Sequence, residues 1–307
     1  MRVLVVGAGA VGGYFGGRLF EKGADVTFLV RPKRQEQLNN EGLIIKSVHG
    51  DATLAVPTIT YGQSAEPFDL IILSVKAYHL TDVLSSLDPY VSSNTAILPL
   101  LNGFAHFPLL QERYGKEKIL GGLCVIESTV NAEGHIEQYS PFHDLVYGEW
   151  SKQASERMDQ MAQLFAGVTC NVTQSPQIRL DVWKKYVFIS TMSGMTSLTR
   201  SSIGTIWNTP TGEQTYRRLA QEVIQIAQSR EPQLDFDEVY QQVMKRSLHL
   251  HGSMKSSMSR DIEKGQPIET DHFHGYLLQV KPEHIEAPTL ETIYAALSAY
   301  NFKYKVS

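Results

Sequence analysis

The chain has only two cysteines, Cys124 and Cys170, and both stand in apolar surroundings. That excludes a disulfide framework and fits buried thiols in a reducing compartment, the cytoplasm. Its ten histidines are scattered, and no Cys/His cluster has the spacing of a metal site. An excess of one charge is also lacking. The formal net charge is −4 over 307 residues, so neither nucleic acid nor an anionic membrane is an expected partner. No apolar run approaches the roughly 20 residues that span a bilayer, and the first residues read as a core strand rather than a cleavable leader. Internal repeats and low-complexity segments are missing. What is there is ordinary for a soluble globular protein, with 42% hydrophobic and 20% charged residues. The length is enough for two domains with separate cores.

Residues 1–31 carry the strongest signal. The β-rich run Val3-Leu4-Val5-Val6 leads into Gly7-Ala8-Gly9-Ala10-Val11-Gly12, then a helix-like stretch, then a second β-rich run, Val26–Val30. A strand, a glycine-rich turn, a helix and a strand in this compass form a dinucleotide-binding unit. Each glycine has its own reason. Gly7 permits the tight turn, Gly9 removes a side chain where a pyrophosphate would approach the backbone, and Gly12 lets the helix lie close to its strand. N–H groups at the helix start then bind phosphate. At the end of the second strand an NAD site carries an acidic residue. Here Arg31 stands there, followed by Lys33 and Arg34. A guanidinium binds a 2′-phosphate that a carboxylate would repel, which favours NADP(H). A solvated basic loop is the alternative.

The first part of the chain alternates short apolar strands with helical segments. Residues 69–75 and 95–100 read as buried parallel strands. Residues 119–130 and 135–147 look β-like and are expected to close that sheet with antiparallel strands. A helix over 155–166 and a short strand over 168–172 follow, and Thr173-Gln174-Ser175-Pro176 marks a boundary. Helical patterns then run to the end, over about 181–199, 210–230, 235–246, 253–264, 269–281 and 289–300. The expected organisation is an α/β dinucleotide-binding domain at 1–174 and an all-helical substrate domain at 175–307, with a cleft between them.

Lys76 and Asn102 each follow a predicted strand of the α/β domain, at the carboxyl ends where ligands of open sheets bind. Asn102-Gly103 also reads simply as a turn. Lys184 and Lys185 are adjacent on a mostly apolar helix, about 100° apart, so they cannot share a face. An inward lysine could donate a proton to a carbonyl oxygen; a lysine with a buried stem and a solvated head is the alternative. Lys185, Ile189 and Ser193 share a face at i, i+4 and i+8. Glu269 falls in the first turn of a helix expected after Pro267, where it could simply complement the dipole.

Together these segments resemble the ketopantoate reductase family (NADPH-dependent 2-dehydropantoate 2-reductases) over nearly the whole chain. The markers are the N-terminal glycine motif with Arg31, Ser-Val-Lys-Ala at 74–77, Leu-Asn-Gly at 101–103, Trp-x-Lys at 183–185, and Ser-Ser-Met-x-x-Asp with Glu-x-Asp over 256–271. The resemblance implies a Rossmann domain joined to a helical domain like that of 6-phosphogluconate dehydrogenase. It further implies Lys185 as general acid, Glu269 near that lysine and the nicotinamide, Ser257 on the substrate, Lys76 on the cofactor, and Asn102 on cofactor and substrate. The reaction implied is reduction of ketopantoate to pantoate, in pantothenate and coenzyme A biosynthesis. The partner is a small 2-oxo acid, and a homodimer is compatible with these features. The chain departs from the family pattern where asparagines are expected to hold the substrate hydroxyl: it has Ile189, Ser193 and Ile203. An isoleucine makes no hydrogen bond, so a more apolar 2-oxo acid is an alternative substrate. A non-catalytic NADP(H) sensor is an alternative of another class.

Overall fold

The computed structural model describes residues 1–151 and 155–304. The chain divides into two compact units, Met1–Leu101 with His106–Arg179, and Asn102–Ala105 with Leu180–Ser307. The change of unit thus falls at Arg179/Leu180, and the short Asn102–Ala105 segment leaves the first unit for the second.

The first unit runs β1 (Val3–Val6), α1 (Gly12–Glu21), β2 (Val26–Val30), α2 (Pro32–Glu41), β3 (Leu43–Ser47), β4 (Ala52–Leu54), β5 (Thr58–Thr60), β6 (Leu70–Leu73), α3 (Leu80–Leu87) and β7 (Ala96–Pro99). It continues through α4 (His106–Tyr114), β8 (Gly121–Val130), β9 (Ile136–Gly148), α5 (Glu156–Phe165) and β10 (Asn171–Gln174). One sheet has the order β5-β2-β1-β6-β7 and is parallel throughout. Val3 pairs with both Val26 and Leu70, and Val6 with Leu29 and Leu73. Every residue of β1, β6 and β7 is buried. Continuous apolar strands of this kind belong to a sheet covered on both faces. This is the doubly wound dinucleotide-binding topology.

The expectation that residues 119–130 and 135–147 close this sheet is corrected. Ile119 makes a single bridge to Ile97 at the β7 edge. The chain then departs, and β8 pairs antiparallel with β9 in a second sheet that also holds β3, β4 and β10. The glycines of α1 show why there are two sheets. A Cβ on Gly16 would come within 2.7 Å of Val5 and 2.9 Å of Phe28, on the first sheet. One on Gly17 would come within 2.7 Å of Ile45, on β3. The helix is therefore gripped from both sides, and only small residues allow that approach. Cys124 is buried and Cys170 half-buried, with no disulfide between them. Burial pushes the Cys170 thiol up to about 12, so it is an inert thiol rather than a nucleophile.

The second unit is helical. α6 (Ile178–Thr199) enters it, followed by α7 (Ile203–Trp207), α8 (Pro210–Arg230), α9 (Phe236–His249), α10 (Ser257–Glu263), a π turn (Asp271–Gly275), α11 (Tyr276–Val280) and α12 (Pro288–Phe302). The helix expected over 253–264 is shorter, because Ser256 is its N-cap and accepts a hydrogen bond from the Ser259 N–H. α6 is buried through most of its length, although it carries many hydroxyls. Thr191 and Thr196 satisfy theirs on the carbonyls one turn back, Val187 at 2.9 Å and Met192 at 2.8 Å. At the start of α12 the buried Glu222 carboxylate accepts from the N–H groups of Thr289 and Leu290, at 3.1 and 2.8 Å. A negative charge there meets the positive end of the helix dipole. Among the described residues, no helix is long and apolar enough to cross a membrane.

Candidate functional site

In the first unit the turn after β1 has the geometry its glycines suggest. Gly7 has φ +95°, the left-handed region that a side chain disfavours. Its N–H is held by the Leu29 carbonyl at 3.0 Å. A Cβ on Gly12 would fall closer than 3.0 Å to both Ser74 Oγ and the Gly7 carbonyl, so the start of α1 lies directly on the turn and on the end of β6. Gly9 is the opposite case, since a Cβ there would meet nothing within 4 Å. The space beside Gly9, at the N-terminus of a ten-residue helix, is the cradle a pyrophosphate needs. Neighbouring carbonyls are already engaged: Ala8 accepts from Arg34 Nη2 at 3.2 Å, and Ala10 from Ser128 Oγ at 3.0 Å. Val11 is the half-buried N-cap of α1.

Of the three basic residues after β2, Arg31 and Arg34 differ in role. They start a helix rather than a loop. Pro32 is at its first position and Arg31 is its N-cap, extended (φ −72°, ψ 153°) as a residue before proline must be. Arg34 is consumed structurally, bonding Gln37 Oε1 at 2.6 Å and the Gly134 carbonyl at 2.8 Å besides Ala8. Arg31 is exposed. Two rings that sequence reasoning did not single out feel its charge. Burial raises the Tyr61 hydroxyl and lowers the His79 imidazole, and Arg31 pulls both down. Lys76 is half-buried after β6, with extended backbone (φ −64°, ψ 140°) ahead of a single 3-10 turn over Ala77–His79.

In the second unit α6 separates its two lysines as the 100° rule requires. Lys184 Nζ donates to Glu238 on α9 at 2.8 Å, a half-exposed ion pair. Lys185 Nζ donates to Asn102 Oδ1 at 2.7 Å. Asn102 reaches that position because Asn102–Ala105 is packed into the helical unit. The Phe104 ring stacks on Trp183 at 4.5 Å, and Gly103 turns the chain at φ +88° against His272. His272 belongs to the π turn and was not anticipated. Burial lowers its pKa, while the Glu269 carboxylate and a hydrogen bond to the Asn102 main chain act the other way. Glu269 is half-buried, just ahead of the helical segment rather than inside its first turn. Its carbonyl accepts the Phe273 N–H at 3.0 Å. Lys185, Asn102 and His272 thus form one connected group, and the Glu269 charge acts on its histidine. Tyr186 fixes the group further by donating its hydroxyl to the Phe273 carbonyl.

The remaining candidates are placed less uniformly. Ile189 is half-buried one turn beyond Lys185, and Ser193 is buried a further turn on. Ile203 is only 1% exposed, at the start of α7, where its N–H donates to the Met254 carbonyl at 2.9 Å. That burial gives it little surface to offer a substrate. Ser257 is exposed in the first turn of α10, whereas its neighbour Ser256 is buried and accepts from Thr196 Oγ1 at 2.8 Å.

Residues 3–152 match the family model described as ketopantoate reductase PanE/ApbA, and residues 177–301 match the model of its C-terminal part. A Bacillus subtilis (strain 168) protein named uncharacterized oxidoreductase YkpB is 42% identical over 98% of this chain and 99% of its own length. A crystal structure of 2-dehydropantoate 2-reductase from Geobacter metallireducens GS-15 superposes with a TM-score of 0.85 and is 25% identical, covering 97% of this chain and 99% of that one. A ternary structure of D-mandelate dehydrogenase with NADH and anilino(oxo)acetate shares the fold at a TM-score of 0.88 and 19% identity, covering 99% of both chains.

Proposed function

The chain is an oxidoreductase that belongs to the ketopantoate reductase family, and on that premise we propose that it reduces 2-dehydropantoate to pantoate with NADPH, a step of pantothenate and coenzyme A biosynthesis. The observation that carries this reading is the Lys185 ammonium fixed on Asn102 Oδ1 at 2.7 Å. An ammonium has three donors. The Asn102 oxygen takes one and so orients the group towards a substrate carbonyl oxygen. As that carbonyl is reduced its oxygen becomes an alkoxide. Lys185 stabilises the growing charge and gives up a proton from Nζ to it. Ser257 is the proposed hydroxyl on the substrate, with Ser193 as a second. Glu269 is proposed to set the electrostatics of the Lys185–Asn102 group through His272.

The turn at Gly7–Gly12 fits a dinucleotide, because Gly9 leaves open space where backbone must meet pyrophosphate. When bound, the nicotinamide supplies the hydride. Arg31 is the proposed 2′-phosphate partner, and Lys76 a second cofactor contact. Ile189, half-buried on the Lys185 face, favours a second reading in which a more apolar 2-oxo acid is the substrate. The test is NADPH oxidation, followed by absorbance, with ketopantoate, with its deoxy analogue 2-oxo-3,3-dimethylbutanoate and with other 2-oxo acids. Highest kcat/KM for ketopantoate supports the first reading. A higher value for the deoxy analogue selects the second. No oxidation with any 2-oxo acid refutes both.

A further inference from the structure

We propose that His272 is a positioning residue of the reductase site: its ring, seated behind the Asn102–Gly103 turn, holds the Asn102 side chain where it receives Lys185. The inference rests on the reading of Lys185 as proton donor and goes beyond it.

Three observations converge on the ring. A Cβ on Gly103 would lie 3.0 Å from His272 Cδ2 and 3.4 Å from Nε2, so the imidazole lies flush against the turn and would have to give way to a side chain there. The ring is hydrogen-bonded to the Asn102 main chain, and the Glu269 charge acts on it. The residue itself is anchored, because Tyr186, the residue after Lys185, donates to carbonyls of the π turn, that of His272 at 3.5 Å and that of Phe273. α6 therefore touches this group twice. Lys185 holds the Asn102 side chain, and Tyr186 holds the segment whose histidine holds the Asn102 backbone. A π turn places an extra residue in the helical register and is frequent at functional sites. Here it brings a ring to Asn102. If the ring N–H is removed, the turn loses its tether and the Lys185 ammonium loses its fixed acceptor.

His272→Leu removes the donor and keeps bulk, and His272→Gln restores an N–H. A tether of this kind acts on the reaction step. The Leu variant is expected to lower kcat about tenfold, with KM for NADPH within about twofold of wild type, and the Gln variant to recover most of the loss. In an Asn102→Ala background the Leu substitution should add less than about twofold, because both changes break one connection. A second readout needs no turnover. Acetylation of Lys185, quantified by peptide mass spectrometry against neighbouring Lys184, should rise in the Leu variant and return towards wild type with Gln. His272→Ala carries the same expectations if the Leu variant fails to fold. Equal kcat losses for Leu and Gln, or an unchanged labelling ratio, overturn the proposal. If wild type oxidises no NADPH with any 2-oxo acid, the activity reading falls, and the labelling ratio alone decides whether His272 positions Lys185.

Discussion

Gly9→Ala should separate cofactor binding from folding. Gly9 does not occupy the left-handed region, and an added Cβ meets no atom within 4 Å. The folded chain can accept alanine without strain, and a loop glycine replaced in a compatible conformation gains about 0.4–1 kcal/mol from the unfolded state. Thermal stability should therefore hold or rise slightly. The methyl group would nevertheless stand in the space left for pyrophosphate. Pushing one phosphate oxygen off a backbone N–H forfeits a charged hydrogen bond of about 1.5–3 kcal/mol, which is about 10- to 150-fold in Kd. Gly12→Ala is the counterpart. Its Cβ would strike Ser74 Oγ and the Gly7 carbonyl, and the second is backbone that no rotamer change can move. Overpacking of that kind costs about 1–3 kcal/mol, so Gly12→Ala should lower Tm as well as weaken binding. The assay is a fluorescence titration with NADPH beside a thermal melt for each variant. An NADPH Kd for Gly9→Ala within about twofold of wild type would refute the placement of the pyrophosphate.

Lys185→Ala should reduce kcat by about 100-fold or more, the scale of a lost general acid, while NADPH titration gives an unchanged Kd; near-normal turnover would show that another group donates the proton. Arg31→Ala should raise KM for NADPH about tenfold or more and leave that for NADH nearly unchanged, and equal effects would sink the 2′-phosphate assignment. His274 gives a pH dependence. Fully buried between α6 and Thr270, with its ring on the Ser190 carbonyl at 3.0 Å, it is lowered by burial from 6.5 to about 4. Below pH 6.5 the unfolded chain takes up a proton that the folded chain refuses until about pH 4. Stability is therefore full above pH 6.5 and lost as pH falls towards 4, by at most ~3 kcal/mol. Urea melts across that range should show a shallower slope for His274→Gln, and identical slopes would contradict the neutral, buried state.

Four strands of the parallel sheet were legible because they are almost wholly apolar, whereas its edge strand β5, Thr58–Thr60, is polar and gave no signal. Leu70–Leu73 and Ala96–Pro99 can only be strands covered on both faces or buried helix, and their four-residue length decides. The second sheet was not. β3 and β4 are short and partly polar, with exposed Lys46 and Thr53 among their residues, and carry no periodic signal, while the strand expected over 168–172 lies instead at Asn171–Gln174, as β10. Without them β8 and β9 had no partner except the first sheet. The missing clue lay in α1. Extra glycines on a helix weaken it unless a second surface needs close approach, and Gly17 against Ile45 is that approach.

The site divides in the same way. That Lys184 and Lys185 cannot share a face followed from helix geometry alone. The resemblance pointed to Lys185, but what it points onto required the contact with Asn102, 83 residues away in sequence. Asn102 was assigned by its position after a strand of the first unit, yet its segment packs with the helices of the second. The residue that could explain this, Gly103, reads in sequence as an ordinary turn glycine, and its positive φ would serve any turn. Only the presence of His272 against it shows that the glycine also clears room for a ring. α-helical spacing from Glu269 admits both His272, at i+3, and Phe273, at i+4, so periodicity did not single out the histidine. The π turn over Asp271–Gly275 is the local structure that presents the ring. No propensity rule predicts a π turn, since it is held by tertiary contacts such as the Tyr186 hydroxyl on the Phe273 carbonyl. The residues proposed to do the chemistry were visible by type and spacing. Those that aim them were hidden in long-range packing.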